Sequence, residues 1–229
     1  MKTFTVVYED NHLLIVNKPA GMLSQGDETG DKSLVDVAKD YIKTKFNKPG
    51  AVFLGLVHRL DRPVSGLVIL ARTSKALERM NAQFRNKETQ KVYWALVTNA
   101  PPVEEGTLTH WLVKDKNRNQ TTAFDIQKPG AQHAILHYKT LAIEKGVCLV
   151  EVRPITGRPH QIRVQLASMG SPIIGDIKYG AQRPNDDASI CLHARQLTFL
   201  HPVQRTPLRL LAPIPDMGLW KYFLKLDLG

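Results

Sequence analysis

The segment HRLDRPVSG, residues 58–66, has one carboxylate between two guanidiniums. Asp61 is flanked by Arg59 and Arg62, and nearby positive charge favours the ionised form of a carboxyl group. An ionised and positioned aspartate can act as a nucleophile or as the electrostatic partner of a developing cation. A structural salt bridge between Asp61 and either arginine is the alternative that the pattern leaves open.

Apolar runs on both sides of this segment indicate how Asp61 is held. Residues 54–57 precede it and residues 67–71 follow it, and such runs bounded by Pro and Gly are typical of buried strands. The sequence therefore predicts that Asp61 lies on a tight connection rooted in a sheet, at the edge of a pocket.

A second dense group of polar residues lies later in the chain: Arg158, His160, Gln161 and Arg163. Pro159 suits the first position of a helix and Gly170 suits its C-terminal end. The group would then crowd a helix start, where backbone N–H groups and the helix dipole attract anions. Helical spacing puts Arg163 near the core, where a charge needs a partner, and Asp61 is a candidate. A solvated basic helix start is the alternative.

The remaining pattern is rich in strands with occasional helices. Helices are predicted over residues 33–46, capped by Ser33, and over residues 74–86, capped by Ser74. A closing helix is predicted over residues 220–226. Strand-like runs cover residues 5–8, 12–16, 92–97, 107–113, 121–126, 134–143, 147–152, 190–200 and 208–212. This order favours an α+β fold with a large mixed, mostly antiparallel sheet.

Composition favours a polyanionic partner. The 229 residues include 31 Lys and Arg against 21 Asp and Glu, a formal net charge of +10. A basic surface of this size attracts polyanions by steering and counterion release. Cys148 and Cys191 have no metal-ligand spacing and are interpreted as buried free thiols of a cytoplasmic protein. Neither a signal peptide nor an apolar stretch long enough to cross a membrane is found.

Five ordered segments resemble the RluA-type pseudouridine synthases. HRLDRPVSG is similar to that family's H-R-L-D-x-x-T-S-G, and TGRPHQIRVQL with GSPIIGDIKYG is similar to its second signature. KVYWALV, YEDNHLLIVNKPAGM and CLHARQLTFLHP also match family segments. Asp176 and Tyr179, within the second signature, either shape the loop beside the site or serve a purely structural role.

The resemblance implies a pseudouridine synthase-like fold and an enzyme that converts uridine in RNA to pseudouridine without a metal or an organic cofactor. It assigns catalysis to Asp61, uracil stacking and help with removal of the C5 proton to Tyr93, and pairing with Asp61 to Arg163. Val64, Pro159 and Gln165 depart from the usual Thr, Thr or Ser, and His. None of these is a catalytic position, so the departures bear on RNA preference more than on chemistry.

We expect a single catalytic domain over residues 1–229, without a separate N-terminal RNA-binding module, acting as a monomer on tRNA or rRNA. The residues expected to contact RNA are Arg59, Arg62, Arg158, His160, Gln161 and Lys178. A catalytically silent RNA-binding protein on the same fold is the main alternative. A glycoside hydrolase is a more distant one, because it would usually need a second carboxylate facing Asp61.

Overall fold

The structure is a computed structural model that describes residues 3–228, and the chain forms two compact units. The first unit runs to Gln90 and takes in Ala194–Pro213, and the second comprises Lys91–His193 and resumes at Ile214. A catalytic domain can contain two compact units, so the single domain expected from the sequence stays a prediction.

Strands and helices follow the predicted order. The strands are β1 (Thr5–Glu9), β2 (Leu13–Lys18), β3 (Gly55–Leu56), β4 (Ser65–Ala71), β5 (Gln90–Val97), β6 (Glu105–Asp115), β7 (Gln120–Phe124), β8 (Gln132–Glu144), β9 (Val147–Pro154), β10 (Leu192–Leu200) and β11 (Pro207–Leu211). The α-helices are α1 (Leu34–Lys45), α2 (Ser74–Arg85) and α3 (Gln161–Ser168), and 3₁₀ helices cover Ile177–Tyr179 and Gly218–Leu228. The predicted α+β class is confirmed.

In the first unit, β2 pairs antiparallel with β1 and β4, β3 pairs with β4, and β11 pairs with β10. All seven residues of β4 are buried, as expected of a strand covered on both faces. The core between this sheet and α2 contains Leu13, Ile15, Leu67, Ile69, Met80, Leu197, Phe199 and Ala212. The segment with Asp61 leads directly into β4, so its end is fixed in the most buried part of this unit.

In the second unit, antiparallel strands follow the order β5-β9-β8-β6-β7. A small core joins this sheet to α3 and the first 3₁₀ helix, through Leu112, Ala134, Val164 and Tyr179. The strand-like runs predicted between residues 92 and 152 are thus confirmed as β5 to β9.

Of the two N-caps predicted for α1 and α2, one is correct and one is wrong. Ser33 caps α1 as predicted, and Asp36 completes a capping box by accepting the Ser33 N–H. The cap predicted at Ser74 is wrong: Thr73, in an extended conformation, accepts the Ala76 N–H at 3.1 Å, and Ser74 is already helical.

The start predicted for α3 is also wrong. Helix α3 begins at Gln161 instead of Pro159, because His160 has a left-handed backbone with a φ of 56° that a continuous helix cannot include. Gly170, with a φ of 86°, follows the end of the helix as predicted. Residues 54–57 contain only the two-residue β3, and the predicted closing helix is a 3₁₀ helix.

Candidate active site

Asp61 lies in the turn between β3 and β4 and is partly buried. The Val64 N–H donates to the Asp61 carbonyl at 3.0 Å, which closes the turn. The prediction of a tight connection rooted in a sheet is therefore confirmed.

Backbone contacts hold the residue that follows Asp61. Lys18, at the end of β2, is completely buried, and its Nζ donates to the carbonyls of Met22 at 2.8 Å and Arg62 at 3.5 Å. The Gly21 N–H also donates to the Arg62 carbonyl, at 2.7 Å. A buried ammonium requires such acceptors, so Lys18 and the turn stabilise each other.

The residue that precedes Asp61 is held by a side chain. The Ser24 hydroxyl donates to the Leu60 carbonyl at 2.7 Å and accepts the Leu60 N–H at 3.0 Å. Both residues are buried. The backbone is therefore fixed on each side of Asp61, by Ser24 before it and by Lys18 and Gly21 after it.

The side chain of Arg62 is engaged with the loop after β2. Its Nη2 donates to Asp31 Oδ2 at 2.7 Å and its Nε donates to the Gly21 carbonyl at 3.2 Å. Both members of the Arg62–Asp31 pair are about half exposed. Arg59 is exposed. Asp31 is thus a partner of Arg62 that the sequence pattern around Asp61 did not indicate.

Gly66 fixes where the turn joins the sheet. Its φ is 117°, and a Cβ at this position would lie 2.4 Å from the backbone nitrogen of Ala194 in β10. Any side chain would be strained and would push β4 away from β10.

Tyr93 lies on β5, opposite Val152 of β9, and is partly exposed between the buried Val92 and Trp94. Lys91 shares its face of the strand, because side chains alternate along a strand. Burial lowers the pKa of the Lys91 ammonium. The face of β5 that carries Tyr93 therefore also carries a partly desolvated cation.

Arg163 is buried, as its helical spacing predicted, and forms a two-point ion pair. Its Nε donates to Asp176 Oδ2 at 2.7 Å and its Nη2 donates to Asp176 Oδ1 at 2.8 Å. Asp176 is also buried. Sequence reasoning left the role of Asp176 open, and no local pattern links two residues thirteen positions apart in this way. The pairing of Arg163 with Asp61 stays a prediction.

Tyr179 joins this pair to the segment before α3. The guanidinium of Arg163 lies 5.0 Å from the centre of its ring, and its hydroxyl lies 2.7 Å from His160 Nδ1. The hydroxyl also accepts the Thr121 N–H at 2.8 Å, and burial raises the pKa of Tyr179. A neutral tyrosine thus fixes the imidazole of His160.

Gln161 is buried, and its Oε1 accepts the Arg158 N–H at 2.9 Å and the Thr156 hydroxyl at 2.8 Å. Lys178 is exposed and donates to the Asn119 carbonyl at 3.1 Å. The second unit therefore has Arg158, His160, Gln161 and Arg163 at the start of α3, whereas Lys178 contacts the turn between β6 and β7. Within residues 3–228, no three His, Cys, Asp or Glu side chains are grouped so that they could hold a metal ion.

Two of the three departures from the family pattern lie inside the protein. Val64 and Gln165 are buried, and Gln165 Nε2 donates to the Leu108 carbonyl at 3.2 Å. Pro159 is exposed. Val64 and Gln165 therefore act on packing, which leaves Pro159 as the departure that solvent or a ligand can reach.

Comparison with known proteins agrees with the motifs. Residues 12–168 match the family model described as RNA pseudouridylate synthase. The chain is 34% identical over 215 residues to ribosomal large subunit pseudouridine synthase C of Vibrio cholerae, covering 91% of this chain and 65% of that protein. It is 34% identical over 249 residues to the mitochondrial pseudouridylate synthase RPUSD4 of Xenopus tropicalis, covering 92% of this chain and 76% of that protein.

Solved structures show the same fold. Human RNA Pseudouridylate Synthase Domain Containing 4 matches with a TM-score of 0.78 at 26% identity, covering 98% of this chain and 91% of that one. The chain spans somewhat less than two thirds of the length of the Vibrio cholerae relative. On the family match and the two curated relatives, the chain belongs to the RNA pseudouridylate synthase family, and to the RluA-type group that its motifs resemble.

Proposed function

We propose that this chain is an RNA pseudouridine synthase that isomerises specific uridines of tRNA or rRNA, with Asp61 as its catalytic residue. Family membership and relatives named as pseudouridine synthases support the activity. The observation that carries the proposal is the partly buried Asp61 carboxylate on a turn whose backbone is hydrogen-bonded on both sides.

The reaction breaks the bond between C1′ of the ribose and N1 of uracil and rejoins the base through C5. Bond breaking develops positive charge on the ribose, which an anionic Asp61 stabilises or captures by adding to C1′. A glycal-like intermediate and addition at C6 of the base are alternative courses. A uridine in a helix must first be flipped out, and Tyr93 would then stack on the base and help to remove the C5 proton. Arg163 is assigned as the basic partner of Asp61.

The residues proposed to contact RNA are Arg59, Arg62, Arg158, His160, Gln161 and Lys178. Gln161 is buried, so it would act by holding the Arg158 backbone. The net charge of +10 supports binding that depends on phosphate neutralisation. None of the helices within residues 3–228 has the length and apolar character to span a membrane. A cytoplasmic monomer that acts on RNA is part of the proposal.

The test uses total RNA from a strain deleted for the gene, incubated with the protein and mapped for pseudouridine at nucleotide resolution. The wild type should introduce pseudouridine at defined sites. Asp61→Asn keeps the shape of the side chain but loses its charge, so it should form none while binding RNA with nearly unchanged affinity. Wild-type turnover by the variant would overturn the proposal, and RNA binding without turnover by the wild type would favour a silent RNA-binding protein.

The role of Tyr93 is tested by Tyr93→Phe. The ring remains, so stacking worth roughly 1–3 kcal/mol should persist and RNA affinity should change little. The hydroxyl is lost, so tritium release from uridine labelled at C5 should slow. Release at the wild-type rate would restrict Tyr93 to stacking.

A further inference from the structure

The geometry points to Ser24 as a positioning residue for the reaction: its hydroxyl holds the backbone of Leu60 and thereby the orientation of Asp61. This inference rests on the proposed function, because it concerns how the catalytic residue of that function is held.

A single oxygen atom satisfies both backbone groups of Leu60. Ser24 Oγ donates to the Leu60 carbonyl at 2.7 Å and accepts the Leu60 N–H at 3.0 Å, across 36 residues of sequence. The carbonyl belongs to the peptide unit that joins Leu60 to Asp61, and the N–H belongs to the unit before it. The hydroxyl therefore limits rotation of both peptide planes around Leu60, the second of which contains the nitrogen of Asp61.

Burial makes this contact hard to replace. Ser24 and Leu60 are both buried, so the two backbone groups of Leu60 would lose their partner if the hydroxyl were removed. The carbonyl of Leu23, next to Ser24, accepts the Leu34 N–H of α1 at 2.7 Å. The hydroxyl is thus presented from a segment that is itself tied to a helix.

The contact also has a counterpart on the other side of Asp61. There, Lys18 and Gly21 hold the Arg62 carbonyl. The orientation of the Asp61 carboxylate then depends on two separate supports, of which Ser24 is the one that a single small substitution removes.

The test is Ser24→Ala, assayed under single-turnover conditions with enzyme in saturating excess over RNA. The rate constant under these conditions does not depend on the fraction of enzyme that is folded. A displaced Asp61 should lower the rate constant about 10- to 100-fold, since a misplacement near 1 Å can cost about 10²-fold. The Kd for RNA should stay within about twofold of the wild type, because Ser24 is buried and is not among the residues proposed to contact RNA.

Thr73→Ala is the matched control. It removes a hydroxyl that accepts a backbone N–H in the same unit, at the start of α2. It should lower the melting temperature and leave the single-turnover rate constant unchanged. Ser24→Thr, which keeps Oγ, should restore most of the rate. If the threonine variant does not fold, Ser24→Cys should restore only part of it, because a thiol donates and accepts hydrogen bonds weakly.

A rate constant for Ser24→Ala within about twofold of the wild type would overturn the inference, as would an equal loss in Thr73→Ala. Failure of the proposed function gives a different result, since the wild type would then form no pseudouridine or Asp61→Asn would be as active as the wild type.

Discussion

Arg62 and Arg163 each pair with an aspartate, but their surroundings differ. The Arg62–Asp31 pair joins side chains that are 47% and 53% exposed, at 2.7 Å. The Arg163–Asp176 pair joins side chains that are 7% and 1% exposed, also at 2.7 Å. The same chemistry therefore occurs once in contact with water and once shielded from it.

The difference in exposure implies different roles for the two ion pairs. An exposed pair contributes about 0–1 kcal/mol, because water and salt screen it, so a phosphate can replace its carboxylate at little cost. Removing one partner of a buried pair leaves an uncompensated charge and costs about 3–5 kcal/mol. We therefore expect Arg163–Asp176 to contribute to stability, in addition to the role proposed for Arg163 beside Asp61, and we expect Arg62 to be the arginine that exchanges its carboxylate for an RNA phosphate.

The largest effect should come from Arg163→Ala. The substitution leaves the buried Asp176 carboxylate without the guanidinium that binds both its oxygens, so stability should fall by about 3–5 kcal/mol and activity should fall with it. Thermal and urea unfolding measure the loss, with Arg62→Ala as the control. An unchanged melting temperature would contradict the structural role of the pair.

Arg62→Ala should affect RNA binding more than stability. If Arg62 exchanges Asp31 for a phosphate, the slope of log Kobs against log salt should become shallower by about 1. Filter binding or fluorescence anisotropy over a range of salt concentrations gives this slope. The same slope for the variant and the wild type would remove Arg62 from the RNA surface.

Asp31→Asn should strengthen RNA binding, whereas Arg62→Ala should weaken it. The substitution removes the charge that competes with phosphate for Arg62, so RNA should bind severalfold more tightly at moderate salt. The comparison with Asp31→Asn in an Arg62→Ala background isolates this route, because the gain should disappear there. Weaker binding of Asp31→Asn would show that the ion pair holds Arg62 in its RNA-binding position.

The smallest effect is the coupling energy of Arg62 and Asp31 in protein stability. A double-mutant cycle of Arg62→Ala and Asp31→Ala should give at most about 1 kcal/mol, measured by urea unfolding. A coupling energy as large as that expected for Arg163 and Asp176 would show that side-chain exposure does not predict how much each ion pair contributes to stability.

The sequence predicted the elements that depend on local signals. The Ser33 cap of α1 is specified by residues within one helical turn. The Asp61 turn is signalled by the apolar residues 54–57 before it and 67–71 after it, and by the Pro and Gly that bound these runs. Both elements were predicted because the residues that signal them lie close together in the chain.

The error at Ser74 is a local one, because the neighbouring Thr73 provides the cap. The error at the start of α3 involves a contact with a residue distant in sequence. The Pro159 signal for a helix start was overridden at His160, whose imidazole is bound by Tyr179 and whose neighbour Gln161 takes the N–H of Arg158. Residues before and after Asp61 are held from the loop after β2. No local pattern indicates such contacts, so the sequence indicated the proposed catalytic residue but not the groups that hold it.

Lys18 limits the number of residues that the turn after Asp61 can contain. It pairs with Gly66 in the register of β2 and β4, and its ammonium reaches the carbonyl of Arg62. One residue added or removed between Arg62 and Gly66 would either move the Arg62 carbonyl away from Lys18 or shift β4 by one position, which would exchange the faces of its side chains. The residue type within the turn can therefore vary, as at Val64, whereas we expect insertions and deletions within it to destabilise this unit.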